Sequence, residues 1–188
     1  MKNFLFALCF CFPFFGLTQD FKKSTNYTFN DIEPLMTPEY FAVPDTLRDP
    51  LIVEVKDKSS GKVMEKIEVY SAESFCGVRV YEAEITGFKN VKSMVRVTYE
   101  FCGCCSDVNE ITYLVKTNGD WIALPEVNYF TCDYPEEKPA YQVGEENHPV
   151  IQEVFFVTEY RNEQGDLYKS KKLETYQWNG KFLVKKED

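Results

Sequence analysis

Three cysteines fall within the eight-residue stretch EFCGCCSD, residues 100–107, and two of them are adjacent. Cysteine sulfur supports thiolate metal binding, thiol redox exchange and disulfide formation. Cys102, Cys104 and Cys105 could offer soft ligands to Cu(I) or Zn²⁺, with the single histidine, His148, as a further ligand. The spacing C-x-C-C is not that of a zinc knuckle, however, and no second C-x₂-C accompanies it. The compartment must therefore decide among the three chemistries.

The N-terminus predicts that compartment. Lys2 precedes an almost wholly apolar stretch, residues 4–15, which has the length of a secretory signal core and is shorter than the ~20 residues of a membrane span. Gly16 and Thr18 are small and lie two apart, which predicts cleavage between Thr18 and Gln19. We therefore interpret residues 1–18 as a cleaved signal peptide and expect a secreted or periplasmic protein with no transmembrane anchor.

Five cysteines would remain after that cleavage, in a compartment that favours disulfides. Five is an odd number, so at most two disulfides can form, and the sequence does not determine their pairing. The strand pattern described below gathers all five at one end of a sheet, which favours Cys76 and Cys132 each bonding to a member of the cluster. A thioredoxin-like redox site would need a helix after the cysteines, and a strand pattern follows instead. The predicted disulfide residues are Cys76, Cys102, Cys104, Cys105 and Cys132.

Catalytic signatures are weak. The chain has no G-x-S-x-G motif, and His148 lies in a loop sequence, GEENHP. The acidic doublets at 136–137 and 145–146 are typical of surface loops. A hydrolase with two carboxylates facing one cleft remains an alternative, because only a structure can place two carboxylates together. We predict no catalytic residue and no cofactor, and we expect Trp121 and Trp178 to pack in the core or cap a sheet rather than to bind a sugar.

The elements that would position these residues are strands. From Leu51 onward, apolar and polar residues alternate with the period of two that is typical of half-buried strands. The clearest run is VKSMVRVTYEF, residues 91–101, in which Val95, Val97 and Tyr99 share one face and Arg96 and Glu100 lie on the other. No stretch shows a capped, amphipathic helical pattern.

Turn sequences separate the strands. Asn118-Gly119 and Asn179-Gly180 are strong hairpin signals, and for the first we expect a type I′ turn with positive φ at both residues. The pattern predicts an all-β fold of antiparallel sheets built from about 8–10 strands joined by hairpins. A β-sandwich, an open barrel and a short propeller-like stack all fit, each stabilised by disulfides.

Two segments lack strand periodicity. Residues 19–50 contain four prolines and are predicted to form a Pro-rich N-terminal arm, followed by a single all-β domain over residues 51–188. Residues 133–147 are acidic and rich in turn formers, which predicts a long loop. Because loops on rigid β scaffolds often bind ligands, Tyr134 and Tyr141 are the candidate contact residues there.

The net charge of −9 argues against binding to nucleic acid, which requires basic patches. Together these observations predict an exported, non-enzymatic β-rich binding or structural module, whose partner is a protein or glycan of the cell envelope or extracellular space. The alternatives are a thiolate metal-binding protein that uses the 102–105 cluster, and a carboxylate-based hydrolase.

Overall fold

The computed structural model describes the backbone at residues 27–28 and the chain at residues 34–69, 73–85, 87–132, 137–143, 153–164 and 166–187. Within these ranges it is all-β, every strand pairing is antiparallel, and no helix is long and apolar enough to cross a membrane. The strands are β1 (Tyr27–Thr28), β2 (Tyr40–Asp45), β3 (Leu51–Asp57), β4 (Val63–Val69), β5 (Phe75–Glu84), β6 (Val91–Phe101), β7 (Ser106–Lys116), β8 (Trp121–Ala123), β9 (Val127–Thr131), β10 (Glu137–Val143), β11 (Glu153–Arg161), β12 (Leu167–Trp178) and β13 (Leu183–Lys185).

The strands form three sheets, which confirms the predicted all-β, hairpin-based class. A central sheet has the order β5-β6-β7-β8, and β9 pairs with the other half of β7. A second sheet has the order β2-β3-β4, and a third has the order β1-β10-β11-β12-β13. The second and third sheets pack on opposite faces of the central sheet, because residues from each share an apolar cluster with one face of β6 and β7.

One face of the central sheet is apolar along the length of β6. Val95, Val97 and Tyr99 alternate along the strand and pack with Val53 and Val55 of the second sheet. These five side chains are 5% exposed or less, so the alternation in the sequence is converted directly into a dry interface between sheets. The prediction of this inward face is confirmed.

The opposite face of the central sheet begins in the same way. Met94 of β6 and Leu114 of β7 pack with Tyr141 and Val143 of β10 and with Trp178 at the end of β12. The indole nitrogen of Trp178 donates a hydrogen bond to the carbonyl oxygen of Lys89 at 2.9 Å. Trp178 is therefore a core residue, as predicted, and its only polar atom is satisfied.

Two segments that the sequence predicted as arm or loop contain strands. Residues 40–45 form β2, and residues 137–143 form β10, which pairs with β11 over its whole length. Proline concealed both strands from the sequence pattern, since it cannot donate to a strand ladder. Within the described residues, Pro44 is tolerated because β2 is an edge strand, and Pro139 because β1 pairs only with residues 142–143 of β10.

The predicted hairpin at Asn118-Gly119 is present, but its turn type differs from the prediction. Gly119 has a φ of +90°, whereas Asn118 does not have a positive φ. The amide of Lys116 donates to the carbonyl of Asp120, and the amide of Gly119 donates to the carbonyl of Lys116. This is a three-residue hairpin loop that ends in a left-handed glycine, rather than a two-residue type I′ turn.

Candidate functional site

A polar cleft occupies the half of the central sheet's face that lies beyond Met94 and Leu114. Strand register explains how it forms, because paired residues of antiparallel strands point to the same side. Tyr81 pairs with Arg96, Thr98 pairs with Arg79 on one side and with Glu110 on the other, and Val108 pairs with Tyr129. The cleft has a volume of about 280 Å³. It is lined by Arg79, Tyr81, Arg96, Thr98, Glu100, Ser106, Val108, Glu110, Tyr129, Thr131 and, from β10, Lys138.

The inner part of the cleft holds three charged groups that are largely removed from water. The side chains of Glu110, Arg96 and Lys138 are 7%, 14% and 18% exposed. Glu110 Oε2 lies 3.8 Å from Arg96 Nε and 4.0 Å from Lys138 Nζ. One carboxylate thus lies between two cations, at distances longer than the ~2.8 Å of a tight charge-assisted hydrogen bond.

Two tyrosines hold the cations in place. The guanidinium carbon of Arg96 lies 4.9 Å from the centre of the Tyr81 ring, and Lys138 Nζ lies 4.6 Å from the centre of the Tyr129 ring. Burial, together with the Glu110 charge, raises the pKa of Tyr129 above its usual range. The Tyr129 ring is therefore uncharged at neutral pH, which favours its cation–π contact with Lys138.

The same burial affects the lysine. Removal from water lowers the pKa of the Lys138 ammonium group, and attraction to Glu110 opposes this shift. The like charge of Arg96 adds to the lowering. An anion placed between Lys138 and Arg96 would oppose both causes of the shift, so the arrangement is suited to receive negative charge.

The mouth of the cleft is marked by an exposed ion pair. Arg79 Nη2 lies 3.6 Å from Glu100 Oε1, and the side chain of Arg79 is 66% exposed. An ion pair this exposed contributes little to stability and can open at low cost. Access to the inner charges is therefore not blocked by a strongly held group.

Two disulfides join the strand ends beside this mouth. Cys76 bonds to Cys102, which links β5 to the end of β6, and Cys105 bonds to Cys132, which links the start of β7 to the end of β9. Each outer cysteine pairs with a member of the cluster, as the sequence favoured. The loops that they close span 26 and 27 residues, so each disulfide contributes about 3–4 kcal/mol in the chain-entropy model.

Cys104 is the cysteine left over. It is exposed and is the free cysteine of the described residues. Cys102 and Cys105 have lost their thiols to the disulfides, so the three cysteines cannot act together as thiolate ligands in this oxidised form. Among the described residues, no group of three or more His, Cys, Asp or Glu residues is arranged to hold a metal ion.

Of the candidate residues that the sequence placed in loops near residues 133–148, the structure describes Tyr141 alone. Tyr134 and His148 lie outside the described residues. Tyr141 lies in β10 rather than in a loop, is 3% exposed, and its hydroxyl donates to the carbonyl oxygen of Pro125 at 2.9 Å. Tyr141 is a core residue that connects β10 to the segment after β8, so the predicted loop position of this candidate contact residue is wrong.

Sequence reasoning missed the cleft, although it identified part of its lining. Arg96, Thr98 and Glu100 were placed together on the polar face of one strand, which is ordinarily the solvated face. A second signal was present in the next strand, where Glu110 and Thr112 alternate with Ile111 and Tyr113. The alternation of polar and apolar residues in these two strands does not show whether the polar face meets solvent or another sheet. Only the packing of the third sheet shows that this polar face is covered.

The charged, hydroxyl-rich lining gives this cleft the means to orient a small polar ligand by hydrogen bonds and ion pairs. Comparisons of the chain with models of protein families, with curated proteins and with solved structures find no match, so the function must be argued from the cleft itself.

Proposed function

We propose that this protein is an exported, non-enzymatic binding module of the cell envelope or extracellular space, and that the cleft between β10 and the central sheet holds its ligand. One observation carries the proposal. A sheet face that is covered by another sheet keeps charged and hydroxyl side chains over half its length, although apolar side chains there would stabilise the fold at least as well.

The two disulfides support the location of this site. They fasten four of the five strands that line the cleft, namely β5, β6, β7 and β9, at the end where it opens. A binding site gains affinity when its side chains are held in place before the ligand arrives, since less conformational freedom is then lost on binding. Disulfides are also in keeping with export, which the N-terminal sequence predicts.

Export is tested by the intact mass of the protein recovered from its natural compartment. Cleavage between Thr18 and Gln19, two disulfides and a single thiol that alkylates without reduction are the expected result. A mass that retains residues 1–18, or a chain found reduced inside the cell, would contradict export.

Binding is tested by screening the oxidised chain for thermal stabilisation against small molecules and oligosaccharides of varied charge. A ligand of the cleft should stabilise the wild type and not the double variant Arg79→Gln/Lys138→Met. The variant Lys92→Gln is the matched control, because Lys92 also forms an ion pair and a cation–π contact but lies outside the cleft. Ligands that stabilise all three proteins equally would exclude the cleft as the site.

A second function is favoured by one observation. Glu100 and Glu110 line the same cleft, and their register makes them diagonal neighbours, whose Cβ atoms lie about 7 Å apart. Glutamate side chains with that Cβ spacing can bring their carboxylates to the separations of about 5–10 Å found in glycoside hydrolases. Turnover of any cleft ligand, abolished in both Glu100→Gln and Glu110→Gln, would replace the binding proposal with this alternative, whereas release of the ligand unchanged supports binding alone.

A further inference from the structure

The face of the central sheet that packs on the second sheet is uncovered at its disulfide end. Tyr99 of β6 is buried, Phe101 is half-buried, and Phe130 of β9 is 67% exposed. Strand register places Phe101, Asp107 and Phe130 in one row across β6, β7 and β9, with their side chains on the same side. Because Phe101 alternates with Glu100 along β6, this row lies on the opposite side of the sheet from the cleft.

Three polar side chains lie beside the exposed Phe130 ring and are hydrogen-bonded to one another. Asn128 Nδ2 donates to Asp107 Oδ1 at 2.7 Å and to Asn109 Oδ1 at 2.9 Å. Since an ionised carboxylate can only accept hydrogen bonds, Asp107 fixes the orientation of the Asn128 amide, which in turn fixes that of Asn109. The positions of donors and acceptors on this surface are therefore set before any ligand arrives.

The outer atoms of this network have no hydrogen bond from the described part of the chain. They are two acceptors, Asp107 Oδ2 and Asn128 Oδ1, and one donor, Asn109 Nδ2. Asn128 is exposed, and the other two residues are half-buried. A hydroxyl group both donates and accepts, so two adjacent hydroxyls on one ligand can bond to an acceptor and to the donor together.

From this arrangement we infer that the uncovered face binds a neutral hexopyranose, as one unit of a glycan. The C–H groups on one side of the sugar ring stack on the Phe130 ring, whose face carries partial negative charge. Adjacent hydroxyls donate to Asp107 and Asn128 and accept from Asn109. The inference goes beyond the proposed function, because this surface and the cleft lie on opposite sides of the sheet and either can fail without the other.

The chemistry of the surface excludes other small ligands. The carboxylate of Asp107 would repel a sugar acid or a sulfated sugar. A wholly apolar ligand would remove the network from water without replacing its hydrogen bonds, which costs free energy.

A depression of about 340 Å³ adjoins the row and gives a second sugar unit room to bind. One cysteine of each disulfide lies in its wall, so its shape is held by covalent bonds. Its lining residues are Ser74, Phe101, Cys102, Gly103, Cys105 and Asp107.

The test is calorimetric titration of the oxidised protein with three neutral tetrasaccharides, cellotetraose, maltotetraose and mannotetraose, and with the anionic tetragalacturonate. We expect at least one neutral tetrasaccharide to bind with a Kd of about 1 mM or tighter. Tetragalacturonate should bind at least about tenfold more weakly, because its carboxylates meet Asp107.

Variants connect that binding to the uncovered face. Phe130→Ala should weaken it by about tenfold or more, and Phe130→Trp should keep or strengthen it, since a larger ring offers more stacking area. Asn128→Ala removes both hydrogen bonds of the network at an exposed position and should also weaken binding about tenfold. Phe182→Ala is the matched control and should bind as the wild type does, because Phe182 is also exposed, at 53%, but lies beside β13.

Asp107→Asn separates a binding role from a structural one. The amide keeps the size of the side chain and an oxygen that accepts from Asn128, but it removes the charge. Binding of the neutral tetrasaccharide should weaken a few-fold, and tetragalacturonate should improve to within a few-fold of it. A variant that merely disturbed the fold would weaken both ligands.

Three results would overturn the inference. The first is absence of binding by all three neutral tetrasaccharides at about 10 mM. The second is binding that Phe130→Ala leaves unchanged but that is lost in Arg79→Gln/Lys138→Met, which would assign the sugar to the cleft and support the proposed function. The third is a dimer in sedimentation that Phe130→Ala dissociates, without sugar binding, which would make this face a contact between two copies of the chain.

Discussion

The two faces of the central sheet are made from the same strands but are used differently. On one face, Val95, Val97 and Tyr99 of β6 pack against the second sheet, and every one of these side chains is buried. On the other face, Met94 is buried among apolar residues, and then Arg96 and Glu100 line a cleft. A boundary between core and site thus lies within two residues of one strand.

The difference between the faces shows which interactions hold the fold and which are kept for another reason. Apolar burial stabilises in proportion to area, at about 25 cal/mol per Å², without a requirement for exact partners. Buried charges lose their hydration, and only close ion pairs or hydrogen bonds offset that loss. The distances of 3.8 and 4.0 Å from Glu110 to its two cations are longer than such close contacts. The apolar face and the Met94 end therefore account for stability, and the charged end, which adds less to it, is where we propose that the ligand binds.

The largest expected effect comes from breaking the apolar end of the cleft-bearing face. Leu114→Ala should lower the free energy of unfolding by about 2–5 kcal/mol, because Leu114 is fully buried and the cavity left behind cannot collapse completely. Urea unfolding with the disulfides intact measures the loss. Thermal stabilisation of the folded fraction by a ligand of the cleft should persist, in contrast to Arg79→Gln/Lys138→Met. A loss of less than about 1 kcal/mol would show that this end is not the core that we describe.

Removal of one disulfide tests whether stability and ligand binding in the cleft depend on the bonds that join its strand ends. Cys105→Ala/Cys132→Ala should lower the free energy of unfolding by about 3 kcal/mol, since the loop of 27 residues regains freedom in the unfolded chain. Ligand binding should also weaken, because Ser106 and Thr131, adjacent to the two cysteines, line the cleft. The matched variant Cys104→Ala should alter neither quantity, and an equal loss in that variant would contradict the assigned pairing.

Reciprocal substitutions at adjacent positions compare the two faces directly. Val97→Thr places a hydroxyl in the dry interface and should cost about 1–3 kcal/mol. Thr98→Val places a methyl group in the cleft lining and should change stability by less than about 0.5 kcal/mol, while weakening the binding of a cleft ligand. Urea unfolding measures stability, and thermal stabilisation by a cleft ligand measures binding. Equal stability losses at both positions would remove the distinction between the faces.

The smallest effect concerns a charged site outside both faces. In the turn between β3 and β4, Asp57 accepts hydrogen bonds from the Ser59 hydroxyl and from the Ser60 hydroxyl and amide, and these bonds lower its pKa to about 2. Because the folded-state pKa is lowered, this contribution to stability is complete above the unfolded-state pKa near 4 and is lost as pH falls toward 2.

The pH dependence of unfolding should therefore become flatter between pH 4 and pH 2 in Asp57→Asn. Ser59→Ala/Ser60→Ala keeps the carboxylate but removes its side-chain donors, so it should flatten the same part of the curve. Urea unfolding at a series of pH values measures this change. Unaltered slopes in both variants would show that these hydrogen bonds do not distinguish the folded from the unfolded state.

Local patterns predicted much of the fold. Strict alternation predicted β6 and its apolar face, because a period of two is typical of a strand whose two sides carry different kinds of residue. The predicted signal peptide and the cysteine count favoured disulfides that involve Cys76 and Cys132, and the predicted strand positions indicated their partners. Patterns failed where proline interrupted them, at β2 and β10, and at Asn118-Gly119, where the same dipeptide is compatible with more than one hairpin loop.

The sequence by itself determined the class of fold, the strands with regular alternation and the grouping of the cysteines, since each depends on neighbours in the chain. Only the tertiary structure decided that the polar face of β6 is covered, and that Lys138, 42 residues beyond Arg96, lies beside the same carboxylate. The physical reason is that burial and net charge at Glu110 are set by strands that meet across sheets, and no local pattern encodes which sheet packs on which face.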